Sequence, residues 1–316
     1  MIPKISLSKE EVSKISASID FAAGDAVSQV QELDSLVEEG KFGMWKKATR
    51  ESIVSTALFR SLRPYPVSLN MLSQRTGDRI TGESLGVGGD PDVNLDDFKD
   101  ATIAVTLGST ALAIAALALL PENVGATVCY LIALVPVAWI GIGSSSPQIL
   151  AGAIMAARGD AESNEDRDDR ICRHEAAHFL CGYLCGLPVK QYSLLEDSGL
   201  PCVEFHVSAE GEISNRELEP EEIATMSVVA MSGAVAEAMK FEQARGGEND
   251  LLQLESLFRR SKEFYGAAKQ QDLTRWGALA AYQLLNDHRS VYESLVDALK
   301  SKKSVTECVA IVEGSC

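Results

Sequence analysis

The chain has 316 residues, of which 45 are Asp or Glu and 29 are Lys or Arg, for a formal charge of −16. Phosphate binding needs clustered cations, and the densest basic stretches here are pairs such as Lys46-Lys47, Arg259-Arg260 and Lys302-Lys303, so no nucleic-acid partner is expected. Seven scattered cysteines, an odd number, do not read as a disulfide framework and point to a reducing compartment.

Residues 1–98 read as a soluble helical region and a connector. Met1 to Ser6 carry neither the charged-then-apolar pattern of a secretory leader nor an Arg- and Ser-rich transit segment. Ser8-Lys9-Glu10-Glu11 is a helix start, with Ser8 as cap and Glu11 closing a capping box. Val12, Ile15 and Ile19, then Val30, Leu33 and Val37, recur at helical spacing. A further helix is expected over residues 44–62, and the Gly-, Asp- and Pro-rich residues 64–97 read as an extended connector. Nothing in this region carries recognisable chemistry, and a packing or spacer role is expected.

Residues 99–158 are apolar. Residues 101–120 contain no charge, Pro121-Glu122-Asn123-Val124 interrupts, and a second uncharged stretch covers residues 125–157. Crossing about 30 Å of hydrocarbon takes about 20 residues of helix. Spans over residues 101–120 and 126–143 therefore form a transmembrane hairpin, with Pro136 kinking the second helix. The alternative is a pair of buried helices in a soluble core, because the first segment is rich in Ala. The turn holds only Glu122, whereas Lys99, Arg158, Arg167 and Arg170 flank the pair, which puts both flanks on the cytoplasm-like side. Trp139 suits a membrane-interface or hairpin-packing position, and residues 147–157 a helical extension or interfacial segment. Residues 159–170 read as an acidic linker whose last acids suit the positive end of the next helix.

Residues 171–316 hold the motif with chemistry in it. In His174-Glu175-Ala176-Ala177-His178 the two histidines lie four apart, so on a helix both imidazoles project from one face. Such a pair can hold one zinc ion, with Glu175 placed to take a proton from the attacking water. Only four histidines exist in the chain, and two fall in this motif. A catalytic zinc needs a third protein ligand, and Asp250 in Gly246-Gly247-Glu248-Asn249-Asp250-Leu251 is the candidate. It follows a small-residue helix, Met231-Ser232-Gly233-Ala234-Val235-Ala236-Glu237-Ala238.

These three stretches, with the C-terminal stretch from Leu284-Leu285-Asn286-Asp287-His288 through Leu295 and Leu299, resemble the peptidase domain of the FtsH family of membrane-bound AAA metalloproteases, in unbroken order over about residues 170–313. That family carries H-E-A-G-H, then G-G-x-x-A-E, then G-A-x-N-D-L, matched here by His174 to His178, Ser232 to Glu237 and Gly247 to Leu251. The resemblance implies a mainly α zinc-peptidase fold with a small β element. It also implies His174, His178 and Asp250 as zinc ligands, Glu175 as general base, and protein or peptide substrates. Glu237 is expected beside the site or in helix packing, since a metal-bound His commonly donates its other N–H to an acceptor. Alternating residues 189–206, turning at Asp197-Ser198-Gly199, suit a β-hairpin or edge strand beside the cleft, to which a peptide could add.

Ala177 replaces the family's second small residue, Gly, and no G-x-x-x-x-G-K-[ST] phosphate loop occurs, so no ATPase activity is expected. Two functions follow: a membrane-anchored, ATP-independent zinc endopeptidase acting on loose or unfolded segments, or a retired peptidase domain serving as scaffold for a membrane complex, such as a photosynthetic one. Motor-less relatives imply a chloroplast membrane, thylakoid or envelope, with soluble parts in the stroma; a bacterial inner membrane is the alternative. Assembly into a homo-oligomer or a membrane protein complex fits the family. Cys181 and Cys185 could join a metal site but are expected to be core, and His206, ending a candidate strand, and His288, inside a helix, are expected to be structural or surface residues. Trp45 and Trp276 carry no functional signal.

Overall fold

The computed structural model describes residues 7–22, 26–54, 62–86, 95–145, 147–158, 164–194, 201–206, 217–241, 243–264 and 266–315. It is mainly helical and divides into two compact units, one made of residues 1–87 with 165–316 and the other of residues 88–164.

The first unit begins with helices α1 (Lys9–Ser16), α2 (Ala26–Glu38), α3 (Lys47–Val54) and α4 (Leu69–Thr76). The capping box forms as expected: Ser8 caps the Glu11 amide while the Glu11 side chain returns to Ser8. The helix expected over 44–62 is observed as α3, with Trp45 buried just ahead of it; residues 55–61 lie outside the described set. The extended connector is corrected over residues 64–86, and residues 87–94 lie outside the described set. Ser68 caps α4, Gly77 ends it in the left-handed conformation at φ 62, and Val67, Leu72 and Ile80 are wholly buried. The polar and Gly-rich composition there marks the ends of a short helix and its turns rather than an unpacked chain.

This region belongs to the same core as the C-terminal helices. The Glu313 carboxylate accepts the amides of Gly43, Met44 and Trp45 at 2.6, 2.9 and 2.9 Å and the Tyr183 hydroxyl at 2.8 Å. Replacing Glu313 by Gln puts an NH2 donor against those N–H groups. The expected cost is about 3 kcal/mol, a fall of roughly 6–12 °C in melting temperature with a red shift of the buried Trp45 emission. An unshifted thermal melt would contradict this clamp.

The second unit holds α5 (Leu95–Leu119), α6 (Glu122–Ala133), α7 (Val135–Ser145) and α8 (Pro147–Arg158). Pro136 has no N–H to give the Ile132 carbonyl, and the second apolar helix breaks there into α6 and α7. At the turn Gly125 lets α6 close on α5, because a Cβ would stand 2.8 Å from the Ala116 carbonyl oxygen. At the other end the Trp139 indole donates to Thr102 Oγ1 at 3.0 Å, and Phe98 and Trp139 pack with Ala151 and Ile154 of α8. Chain entry and exit therefore lie at one end of the hairpin. Thr102, Thr106 and Thr110 return their hydroxyls to carbonyls one turn back, which suits apolar surroundings. The expected acidic linker is shorter than 159–170: α9 already begins at Asn164, with Glu165 and Asp166 in its first turn, and residues 159–163 lie outside the described set.

The first unit resumes with α9 (Asn164–Cys185), the antiparallel strands β1 (Val189–Ser193) and β2 (Cys202–Phe205), then α10 (Pro220–Phe241), α11 (Glu248–Phe258), α12 (Ala267–Asp287), α13 (Arg289–Lys300) and α14 (Val305–Glu313). The expected hairpin turn at 197–199 lies outside the described residues. Among the described residues, three helical stretches are long and apolar enough to cross a membrane: Asp96–Leu119, Glu122–Ser145 and Pro220–Phe241. The protein itself buries 17% and 6% of the first two windows but 72% of the third. Helix α10 is thus packed inside the core of the first unit, its apolar surface covered by α12, where Gly277 lies against the Ser227 carbonyl.

Candidate metal centre

Helix α9 is polar for its first two turns and apolar afterwards, and His174, Glu175 and His178 sit where the change occurs. Phe179, Leu180 and Leu184 bury its body, and Gly186, at φ 93, ends it. Helix α10 crosses beside it with small residues facing the ligands. Gly233 lies directly under the His174 ring, where any side chain would overlap it. The chain then turns through Gly246 and Gly247, the latter at φ 99, and delivers Asp250 in the first turn of α11.

Asp250 Oδ2 stands 3.0 Å from His174 Nε2 and 3.4 Å from His178 Nε2. Ligands at about 2.0–2.2 Å around a tetrahedral zinc would be roughly 3.3–3.5 Å apart, close to this spacing. The outer nitrogens settle the tautomers. His178 Nδ1 lies 2.8 Å from the Val229 carbonyl, which can only accept, so Nδ1 carries the proton. Ser232 Oγ, 3.2 Å away, faces the same nitrogen. His174 Nδ1 lies 2.6 Å from Glu237 Oε1. Glu237 also accepts Arg170 at 3.1 Å and the amides of Arg245 and Gly246, so it is the acceptor there too. Both rings therefore turn Nε2 toward the same Asp250 oxygen, and two imidazoles with one carboxylate are a donor set that can hold a cation.

The carboxylates around the site favour positive charge at this point. Burial opposes charge on His174, but Asp250 and Glu237 outweigh it and push the imidazole up to about 10. Burial would raise the Asp250 carboxyl, yet the two histidines hold it well below the usual carboxylate range. Glu175 behaves oppositely: it is 3% exposed and burial raises its pKa, while Oε2 has no hydrogen-bond partner. The Val203 backbone of β2 also interacts with the Glu175 carboxylate. Among the described residues, His174, His178 and Asp250 form the group whose atoms converge closely enough to hold a metal ion.

No family model, curated protein or solved structure matches this chain. The site's own geometry must carry its chemistry.

All four residues expected at the site are brought together, and Glu237 takes the supporting position beside His174. Cys181 and Cys185 are buried, with burial raising both thiols, and belong to the core. His206 follows β2 and meets the Phe21 carbonyl at 2.7 Å; His288 lies at the junction of α12 and α13 rather than inside a helix. Sequence reasoning missed Arg170, read only as a flanking charge. It lies one helical turn before His174, so the same spacing that pairs the histidines also places it on their face. It missed Ser232 as well, whose hydroxyl replaces a glycine of the resembled motif.

Proposed function

We propose that the chain is a membrane-anchored zinc metalloendopeptidase that cleaves loose or unfolded protein segments without ATP. The observation that carries this reading is the convergence of His174 Nε2 and His178 Nε2 on the Asp250 carboxylate, with the buried Glu175 carboxylate beside them and one of its oxygens without a hydrogen-bond partner. His174, His178 and Asp250 would hold the ion. Zinc so bound supplies Lewis acidity, making water acidic near neutral pH and polarising a peptide carbonyl.

The remaining work falls to the chain. Glu175, its basicity raised by burial, accepts the proton of the attacking water and hands it to the departing amine. Strand β2, whose Val203 backbone interacts with Glu175, offers an edge along which an extended peptide can lie. Phe205 packs onto Gly182 of α9, where no side chain would fit, and so seats the hairpin beside the helix that carries the histidines. Helices α5 to α7 anchor the protein as two spans, with both flanks on one side. Following the FtsH resemblance, we assign that side to the chloroplast stroma, at a thylakoid or envelope membrane. The lack of a phosphate loop in this sequence limits substrates to segments that need no unfolding.

Metal analysis joined to a casein cleavage assay tests the proposal. Wild type is expected to hold about one zinc per chain, lost in His174→Ala and Asp250→Ala. Glu175→Gln should keep the zinc and lose cleavage by about 100-fold or more. Zinc without Glu175-dependent cleavage would favour a retired scaffold, and a wild type that binds no metal would remove the site altogether.

A further inference from the structure

Resting on that zinc-site reading, we propose that the turn at Ser84 is a positioning element for Asp250, so that the N-terminal region completes a metal centre whose ligands all lie far downstream. Residues 243–247 link α10 to α11 without regular structure, and Asp250 follows three residues later. The Gln243 carbonyl accepts Arg170 at 2.9 Å, and the Arg245 and Gly246 amides donate to Glu237. Those ties lead back to α9 and α10, the helices that also hold the histidines. The Ala244 amide instead donates to the Ser84 carbonyl at 2.8 Å, a hold from the N-terminal region.

Ser84 is built to offer that carbonyl. Its Oγ accepts the Thr81 amide at 2.8 Å while its own amide donates to Thr81 Oγ1 at 3.0 Å, locking the turn reciprocally. Gly86 closes the turn at φ 77, a conformation that any side chain would strain, and a Cβ there would stand 3.4 Å from the Ala244 carbonyl oxygen. Behind the turn, Ile80 and Leu72 are wholly buried, and Arg275 of α12 donates to the Val67 carbonyl at 2.6 Å. The brace is thus fixed in the core on one side and bonded to the ligand loop on the other. Without it, the loop must be ordered when metal binds, and part of the binding free energy is lost to that ordering.

The experiment measures zinc affinity, by competition with a chromophoric chelator, and amide exchange across residues 244–250 in the full chain. Ala244 should be protected in wild type. Ser84→Ala, which unlocks the turn, and Gly86→Ala, which strains it but leaves Ser84 intact, should each weaken zinc about tenfold and speed exchange in the loop. Glu313→Gln, which loosens a different clamp, should leave zinc affinity unchanged. Unaltered affinity in the two brace variants, an equal loss in the Glu313 variant, or an unprotected Ala244 amide would overturn the brace. Absence of zinc from wild type would instead overturn the metal reading beneath it.

Discussion

Gly233→Ala is expected to cost at least 100-fold in zinc affinity although it removes no ligand. A Cβ at that position would stand 2.5 Å from His174 Cδ2 and nearer still to Nε2. Helix α10 is buried on most of its surface and cannot back away. The imidazole must therefore turn aside, leaving both Glu237 and the metal position. Local preference points the other way, because Ala is favoured over Gly inside a helix by about 1 kcal/mol. Circular dichroism should show unchanged helicity while the chelator competition shows the loss. Full zinc binding in Gly233→Ala would mean that the ring is not held where it is described.

Glu237→Gln carries the second large effect, this time on stability and metal together. The Glu237 carboxylate is 2% exposed and meets His174, Arg170 and two loop amides at once, and these bonds hold it ionised against its own burial. With the charge gone, Arg170 remains buried at 11% exposure beside a neutral amide. Breaking a buried pair in this way costs about 3–5 kcal/mol. The melting temperature should fall by roughly 10 °C or more, and zinc should bind 10–100-fold more weakly as the His174 ring loses its orienting acceptor. A variant that melts normally would show that Arg170 finds another partner.

The cluster of His174, His178 and Asp250 was legible because its signal is local. Histidines four apart and an aspartate behind a Gly-Gly turn keep their spacing whatever surrounds them, and the Ser8 capping box is equally self-contained. What escaped was carried by backbone atoms or by distant closure. The Val229 carbonyl that fixes the His178 tautomer and the Ser84 carbonyl that braces the loop have no side-chain signature. Residues 64–97 read as a connector because Gly and Asp look alike in a loose chain and in the ends of a short helix. Only the burial of Val67, Leu72 and Ile80 distinguishes the two. Helix α10 carries the reverse lesson: composition and length fit a membrane span, and only its position among α9, α11 and α12 shows that protein takes the place of lipid.

The Glu313 clamp also sets an order of events during synthesis. Residues 43–45 emerge early, but the carboxylate that receives their amides belongs to α14, near the end of the chain. Between the two lie the apolar helices α5 to α7 and every metal ligand. Residues 43–45 cannot meet this partner until Glu313 of α14 has been made, 270 residues after Gly43. The residues of the candidate metal centre are likewise made only after the segments proposed to enter the membrane.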